Sequence, residues 1–193
     1  MGNRSSVITT RPGDSGLTSL GNGTCVEKDS IHIEAIGAID ELNGALGILV
    51  AKSLLQSISV LLRQVQNSLF DMGAEISFPG RKCFSRDSIE QIDKAIAELS
   101  EGLPPSREFV LPGGTEAGAL CHFARAVCRS AERRLVTLQA LDPIPADFKV
   151  PYLNRLSDLL FVLARAINRS DGVPEICRES IATKARARDR QDS

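Results

Sequence analysis

Arg125, Arg129 and Arg133 follow one another at four-residue steps in His122-Phe-Ala-Arg125-Ala-Val-Cys-Arg129-Ser-Ala-Glu132-Arg133-Arg134. On a helix of about 3.6 residues per turn such steps drift only about 40° around the axis, so the three guanidiniums stack along one side with Glu132 beside them. Leu120, Ala124, Val127, Ala131, Leu135 and Leu138 recur at three- and four-residue intervals and form the buried face, which leaves the arginines at its flank. Like charges held beside a core call for an anion. A phosphate chain suits them, because the guanidinium fork matches phosphate oxygens and stays charged at any relevant pH.

A second group lies near the amino terminus, where Thr9-Thr10-Arg11-Pro12-Gly13-Asp14-Ser15-Gly16-Leu17-Thr18-Ser19 sets glycines among hydroxyl residues. That composition lets backbone N–H groups and side-chain oxygens surround phosphates. It is not a Walker A loop, since Asn22 stands where that motif needs Lys, and by composition alone an ordinary surface loop is the better reading than a phosphate cradle. Lys28 taken alone is a solvated charge. Further on, Gly37, Asp40, Gly44 and Gly47 fall on one helical stripe, each interior glycine costing about 1 kcal/mol relative to Ala. Tight helix packing would explain the glycines, whereas Asp40 needs a cationic partner, and the arginines of the later helix are available. Asn154, Asp158 and Phe161 share another stripe and read as polar trim beside a core, and His122 reads as a hydrogen-bonder on a helix flank. Neither His32 nor His122 has the Glu three residues before it that di-iron carboxylate bundles need, and no Ser-His-Asp or Cys-His arrangement stands out.

The elements that position these groups follow from periodicity. Ala35, Ile39, Leu42, Leu46 and Leu49 give an apolar helical face from about Ile33 to Ala51, and Ile58, Leu61, Val65, Leu69, Met72 and Ile76 give a longer one stopped by Phe78-Pro79-Gly80. Asp87 with Glu90 resembles a capping box before Ile89, Ile92, Ile96 and Leu99. Thr115 is the expected N-cap of the arginine helix, which runs to about Ala140, and Leu153, Leu156, Leu160, Leu163 and Ile167 face the core from a fifth helix between about Pro151 and Asn168. The expected fold is all-α, a five-helix up-and-down bundle over residues 31–170. It follows an extended or looped arm over 1–30 and precedes a loose polar tail over 171–193.

Composition narrows the function further. The 193 residues are 42% hydrophobic, 24% charged and 4% aromatic with no Trp, which suits one aliphatic-cored helical domain. A net charge of −1 argues against nucleic acid as the partner and makes the arginine stripe local. Five cysteines without a C-x-x-C pair signal neither a disulfide framework nor a zinc site. The longest apolar run, Leu159 to Ala164, falls far short of the roughly 20 residues that span a bilayer. The start of the chain has no secretory core, so the expected compartment is the cytoplasm, with a mitochondrial matrix as the eukaryotic alternative.

Six ordered segments together resemble the PduO-type ATP:cob(I)alamin adenosyltransferases over about residues 8–170. They are Thr10-Arg-Pro-Gly13-Asp14-Ser-Gly16-Leu-Thr18, Lys28-Asp29, Glu34-Ala-Ile-Gly37-Ala-Ile-Asp40-Glu41-Leu42-Asn43, Phe109-Val-Leu-Pro112-Gly113-Gly114, Arg125-Ala-Val-Cys-Arg129-Ser-Ala-Glu132-Arg133 and Tyr152-Leu153-Asn154-Arg155-Leu156-Ser157-Asp158. The resemblance implies a ferritin-like five-helix bundle assembled as a homotrimer, with ATP and corrinoid bound at subunit interfaces. It implies transfer of the 5′-deoxyadenosyl group of ATP to cob(I)alamin with release of triphosphate. A carrier that binds ATP or corrinoid without turnover would keep the same pocket.

By that resemblance the arm is a nucleotide-binding arm. Thr10, Arg11, Pro12, Gly13, Thr18, Ser19 and Lys28 surround ATP, and Arg129, Glu132, Arg133 and Asn154 complete the site, with Glu132 also helping to hold Mg²⁺. Phe109 crowds the lower face of the corrin and keeps its base off cobalt, while Asp40 and Arg125 pair between neighbouring subunits beside the corrinoid. Asp40, Arg125 and Arg129 are thus the expected catalytic set. A reductase that supplies cob(I)alamin and an adenosylcobalamin-dependent acceptor enzyme are the partners such chemistry implies. Ser130 departs from the family, which usually repeats Arg there, and Cys25 stands where a basic residue commonly precedes the lysine. Activity is expected to survive both departures, because Lys28, Arg129, Arg133 and Asn154 remain.

Overall fold

The apolar spacing resolves into five helices: α1 (Ile31–Val50), α2 (Gln56–Ser77), α3 (Asp87–Ser100), α4 (Glu116–Leu141) and α5 (Lys149–Ser170). The structure is a computed structural model that describes residues 12–105, 109–142 and 148–178. The faces expected on α1 and α5 are all buried, and on α2 Leu62 takes the core position beside a half-buried Leu61. α3 buries only Ile92 fully, so it is the most peripheral of the five. On α4 the seam is Cys121, His122, Ala124, Cys128, Ala131, Leu135 and Leu138, with Leu120 and Val127 at its edge.

α4 lies between α1 and α5 and packs most extensively on both; α2 packs on α1, and α3 rests on α5. α2 and α3 then face each other across a groove lined by Leu61, Gln64, Ala95 and Glu98. The arginine helix is therefore held on two sides. None of the helices, among the described residues, is long and apolar enough to cross a membrane.

Local chemistry explains where α4 begins. Thr115 Oγ1 accepts the Gly118 N–H at 3.0 Å, the N-cap expected from the sequence. The capping box expected at Asp87 and Glu90 does not form: Arg86 occupies the N-cap position without a side-chain cap, and the Asp87 N–H donates instead to Ser85 Oγ at 3.1 Å. A hydroxyl two residues upstream satisfies the donor that the box would have used.

The arm is more regular than a loop. After a 3-10 turn (Pro12–Ser15), β1 (Leu17–Ser19) pairs antiparallel with β2 (Cys25–Glu27), with Leu17 opposite Glu27, Thr18 opposite Val26 and Ser19 opposite Cys25. Leu20 is buried, and the Gly21 N–H donates to Ser77 Oγ at 2.8 Å, which fastens the hairpin to the end of α2. At the other end of the chain, Val173–Arg178 is not a loose tail. Val110 forms a bridge with Cys177, and the backbone there is hydrogen-bonded on both sides.

An ion pair lies buried where α2 meets the start of α5. Lys149 Nζ lies 2.6 Å from Glu75 Oε2, and Glu75 Oε1 accepts the N–H groups of Cys83 at 2.5 Å and Phe84 at 2.7 Å. Burial pushes the Glu75 carboxyl upward, but the hydrogen bonds from Lys149, Phe84 and Cys83 outweigh it and hold the group below its ordinary value. The pair ties the α2–α3 connection to the first turn of α5, where Phe84 also meets Tyr152 edge-on at 5.1 Å.

Candidate functional site

α4 presents its charges as the spacing requires, with Arg125 half-buried and Arg129 and Arg133 exposed. Arg133 Nη1 donates to the Arg129 carbonyl at 3.0 Å, which lays one guanidinium back along the helix. Arg129 makes no ion pair among the described residues. Across the α4–α5 seam, Asn154 Nδ2 donates to Glu132 Oε1 at 3.2 Å, so these two residues stand together at the surface beside the arginines. Ser130 is half-buried.

In the arm, Lys28 reaches back over the 3-10 turn. A Cβ built on Gly13 would stand 3.0 Å from Lys28 Nζ, and the Lys28 N–H donates to the Gly16 carbonyl at 2.9 Å. Thr18 and Ser19 lie on β1, with exposed Cys25 opposite Ser19, and Pro12 opens the turn. Thr10 and Arg11 lie outside the described residues. Among those described, no hydrogen bond or ion pair joins Gly13, Thr18, Ser19 or Lys28 to Arg129, Glu132, Arg133 or Asn154. The hairpin is fastened to the end of α2 by the Gly21 N–H and Ser77 Oγ. A single chain thus presents two half-sites.

Asp40 is exposed on α1 and forms no ion pair with Arg125 within the chain; partial burial raises its carboxyl above the usual value. The glycine stripe around it is not tight intrachain packing. A Cβ added at Gly37 or Gly44 meets nothing within 4 Å, and Ile48 on the same stripe is 53% exposed. Arg125 Nε is buried without a hydrogen-bond partner among the described residues, and its guanidinium carbon lies 5.9 Å from the centre of the Phe161 ring.

His122 does not hydrogen-bond on a flank. It is 3% exposed, and neither ring nitrogen finds a partner among the described residues. Burial, and then the Arg125 charge, push its pKa down against an opposing pull from Glu175. Its ring meets Phe161 at 6.1 Å between centroids, and Arg165 lies 5.8 Å from that same ring. Arg165 in turn donates to Glu175 Oε1 at 2.5 Å and to the Pro104 carbonyl at 2.7 Å. Phe161, read from the sequence as polar trim, is the centre of a cationic aromatic cluster. Arg165 was visible only as a charge within an apolar helix face, and nothing in spacing marked its partners, which lie 10 and 61 residues away.

Phe109 is 81% exposed, while its own carbonyl accepts the Arg178 N–H and the Leu111 N–H donates to the Ile176 carbonyl. An aromatic ring held in water by an ordered backbone is available to a ligand. For a divalent cation the chain offers less. No group of three or more His, Cys, Asp or Glu side chains is gathered among the described residues, and Glu132 supplies one carboxylate beside the arginines. That suits Mg²⁺ carried on substrate phosphates, which needs only one or two protein carboxylates.

A profile of the cobalamin adenosyltransferase family matches residues 8–167. The chain is 46% identical over 180 residues to a cobalamin adenosyltransferase of Cupriavidus metallidurans, covering 91% of this chain and 96% of that one. It is 34% identical over 193 residues to a corrinoid adenosyltransferase of Bacillus subtilis, covering 96% and 99%. Among solved structures, a variant PduO-type ATP:corrinoid adenosyltransferase from Lactobacillus reuteri, complexed with cobalamin and ATP, superposes with a TM-score of 0.83 at 29% identity, over 90% of this chain and 100% of that one. A second variant of that enzyme, complexed with ATP, gives 0.80 at 31% identity over 89% and 100%. With the family's profile spanning the hairpin arm, the arginine helix and the Phe109 segment alike, this chain belongs to the cobalamin adenosyltransferase family.

Proposed function

We propose that the family's ATP:corrinoid adenosyltransferase activity is carried out here as transfer of the 5′-deoxyadenosyl group of ATP to cob(I)alamin, giving adenosylcobalamin and triphosphate, at sites between subunits of a homotrimer. The observation that supports this reading best is the division of the polar residues into two half-sites that one chain does not close. Among the described residues no hydrogen bond or ion pair joins Gly13, Thr18, Ser19 or Lys28 of the arm to Arg129, Glu132, Arg133 or Asn154, and neither Asp40 nor Arg125 has an ionic partner there. A neighbouring copy related by a closed rotation would bring one half against the other.

The chemistry asks little of side-chain reactivity. Cob(I)alamin is a strong nucleophile, so its cobalt attacks C5′ of ATP directly; the Co–C bond forms as the C5′–O bond breaks, and the electron pair leaves with triphosphate. The protein has to align the two substrates and neutralise the departing charge. Arg129 and Arg133 serve the phosphates, with Thr10, Arg11, Pro12, Gly13, Thr18, Ser19 and Lys28 closing over the nucleotide from the arm. Asn154 orients Glu132, which would hold Mg²⁺ on the phosphates, where the cation adds to charge neutralisation. Phe109 stands at the lower face of the corrin and excludes its base, which eases reduction of cob(II)alamin before transfer. Asp40 and Arg125 pair across the interface beside the corrinoid.

The cytoplasm is the compartment we assign, and a reductase that delivers cob(I)alamin is the partner the reaction requires. Purified protein mixed with ATP, Mg²⁺ and chemically reduced cobalamin is expected to yield adenosylcobalamin and triphosphate in equal amounts. ATP binding without product under strong reduction would reduce the reading to a carrier.

A further inference from the structure

We propose that Asn168, near the end of α5, is a positioning residue for this reaction: it clamps the segment that carries Phe109 and so sets where that ring stands against the corrinoid. The inference rests on the assignment of Phe109 to the lower face of the corrin.

Phe109 cannot be held by its own side chain, which is 81% exposed. Its direction is set by backbone. The Arg178 N–H donates to the Phe109 carbonyl and the Leu111 N–H to the Ile176 carbonyl, each at 2.8 Å, on either side of Val110. Downstream of Leu111, the Asn168 amide takes over. Its Nδ2 donates to the Gly113 carbonyl at 3.0 Å, and its Oδ1 accepts both the Thr115 N–H and the Thr115 hydroxyl at 2.9 Å. The Asn168 carbonyl accepts the Val173 N–H at 2.8 Å, so the same residue anchors the start of the segment that returns to Phe109.

Two glycines make room for this amide. A Cβ at Gly114 would stand 2.2 Å from Asn168 Nδ2, at a φ of +97° that also disfavours a side chain, and a Cβ at Gly118 would stand 2.1 Å from Oδ1. Capping α4 requires only the Thr115 hydroxyl, which already accepts from Gly118. The cross-link to α5 is additional, and what it orders is the Phe109 segment. One turn earlier on α5, Arg165 holds the outer flanks of the same segment through Pro104 and Glu175. Asn168 is 4% exposed and uses both ends of its amide, so no other side chain can supply the same three bonds at that position.

The test compares Asn168→Ala, Asn168→Asp and Gly118→Ala with wild type and with Phe109→Ala. Each is assayed from cob(II)alamin under a mild flavin reductant, and again with cobinamide, which carries no lower base. We expect Asn168→Ala and Gly118→Ala to lose about 10-fold or more in kcat/KM for cobalamin, as small misplacements of a positioned group do. Their KM for ATP should stay within about twofold of wild type, their turnover of cobinamide should be near normal, and the absorption spectrum of bound cob(II)alamin should retain its base-on bands. Asn168→Asp, which keeps the acceptor and loses the donor to Gly113, should fall between. An equal loss with cobinamide, a rise in ATP KM of the same size, or unchanged cobalamin turnover overturns the inference. If Asn168→Ala does not fold, Gly118→Ala decides by the same readouts, since it displaces the amide without deleting it. A Phe109→Ala variant with no cobalamin-specific loss removes the assignment of Phe109 and this inference together. A loss in Phe109→Ala with none in the clamp variants removes the inference alone.

Discussion

Arg129 and Arg133 differ in what the chain already gives them. Arg133 bends back to the Arg129 carbonyl, whereas Arg129 has no ion pair among the described residues, so its guanidinium is the freer of the two to meet a phosphate. A charged hydrogen bond is worth about 1.5–3 kcal/mol, and Arg129→Ala is expected to lower kcat/KM for ATP by about 10- to 100-fold with the melting temperature unchanged. Steady-state kinetics beside a thermal melt check this. His122 predicts a pH effect of a different kind. Its folded pKa is depressed by burial and by Arg125, so the unfolded chain takes up the proton first as pH falls. Its contribution to stability is therefore complete above an ordinary imidazole value of about 6.5 and is lost as pH drops through the lower folded value. His122→Phe should flatten the dependence of denaturation midpoint on pH between about 7 and 5, measured by chemical unfolding; an unchanged slope would remove His122 as the source.

At the scale of elements, the faces of α1 and α5 and the Thr115 cap were legible, because each rests on spacing within one segment. The Asp87 cap was not. Ser85 competed for the same N–H from a position that pattern rules do not weigh. Equally invisible were contacts between elements, foremost Lys149 with Glu75, which lie on α5 and α2 and meet only when α5 packs in place. Glu75→Gln removes the charged acceptor of Lys149 Nζ and is expected to cost about 1.5–3 kcal/mol at neutral pH by urea denaturation. Since the folded carboxyl of Glu75 is depressed, its share of stability is present above the ordinary carboxylate range and disappears as pH falls through the folded value. The variant should accordingly lose part of the acid-limb slope seen in wild type.

For the whole molecule the sharpest prediction concerns Asp40 and Arg125. If they pair between copies, Asp40→Ala and Arg125→Ala chains should each be weak alone, yet co-refolded mixtures should regain activity, since about a quarter of the interfaces formed at random in a closed ring would be wild type. Activity of the mixture no higher than that of the two separate preparations would place the pair elsewhere. The exposed stripe of Gly37, Gly44 and Ile48 belongs to the same argument, and Gly44→Glu is expected to dissociate the assembly in size-exclusion chromatography. By itself the sequence determined the five amphipathic helices, the arginine stripe and the ordered motifs that identify the family, because periodicity and local spacing are properties of the chain before it folds. Only the tertiary structure decided that His122 is buried with no hydrogen-bond partner among the described residues, that Phe161 meets both Arg125 and Arg165, and that Val173–Arg178 and Asn168 hold the Phe109 segment. Those facts depend on backbone carbonyls and amides that carry no residue type, and on which distant side chains packing brings within about 3 Å of them.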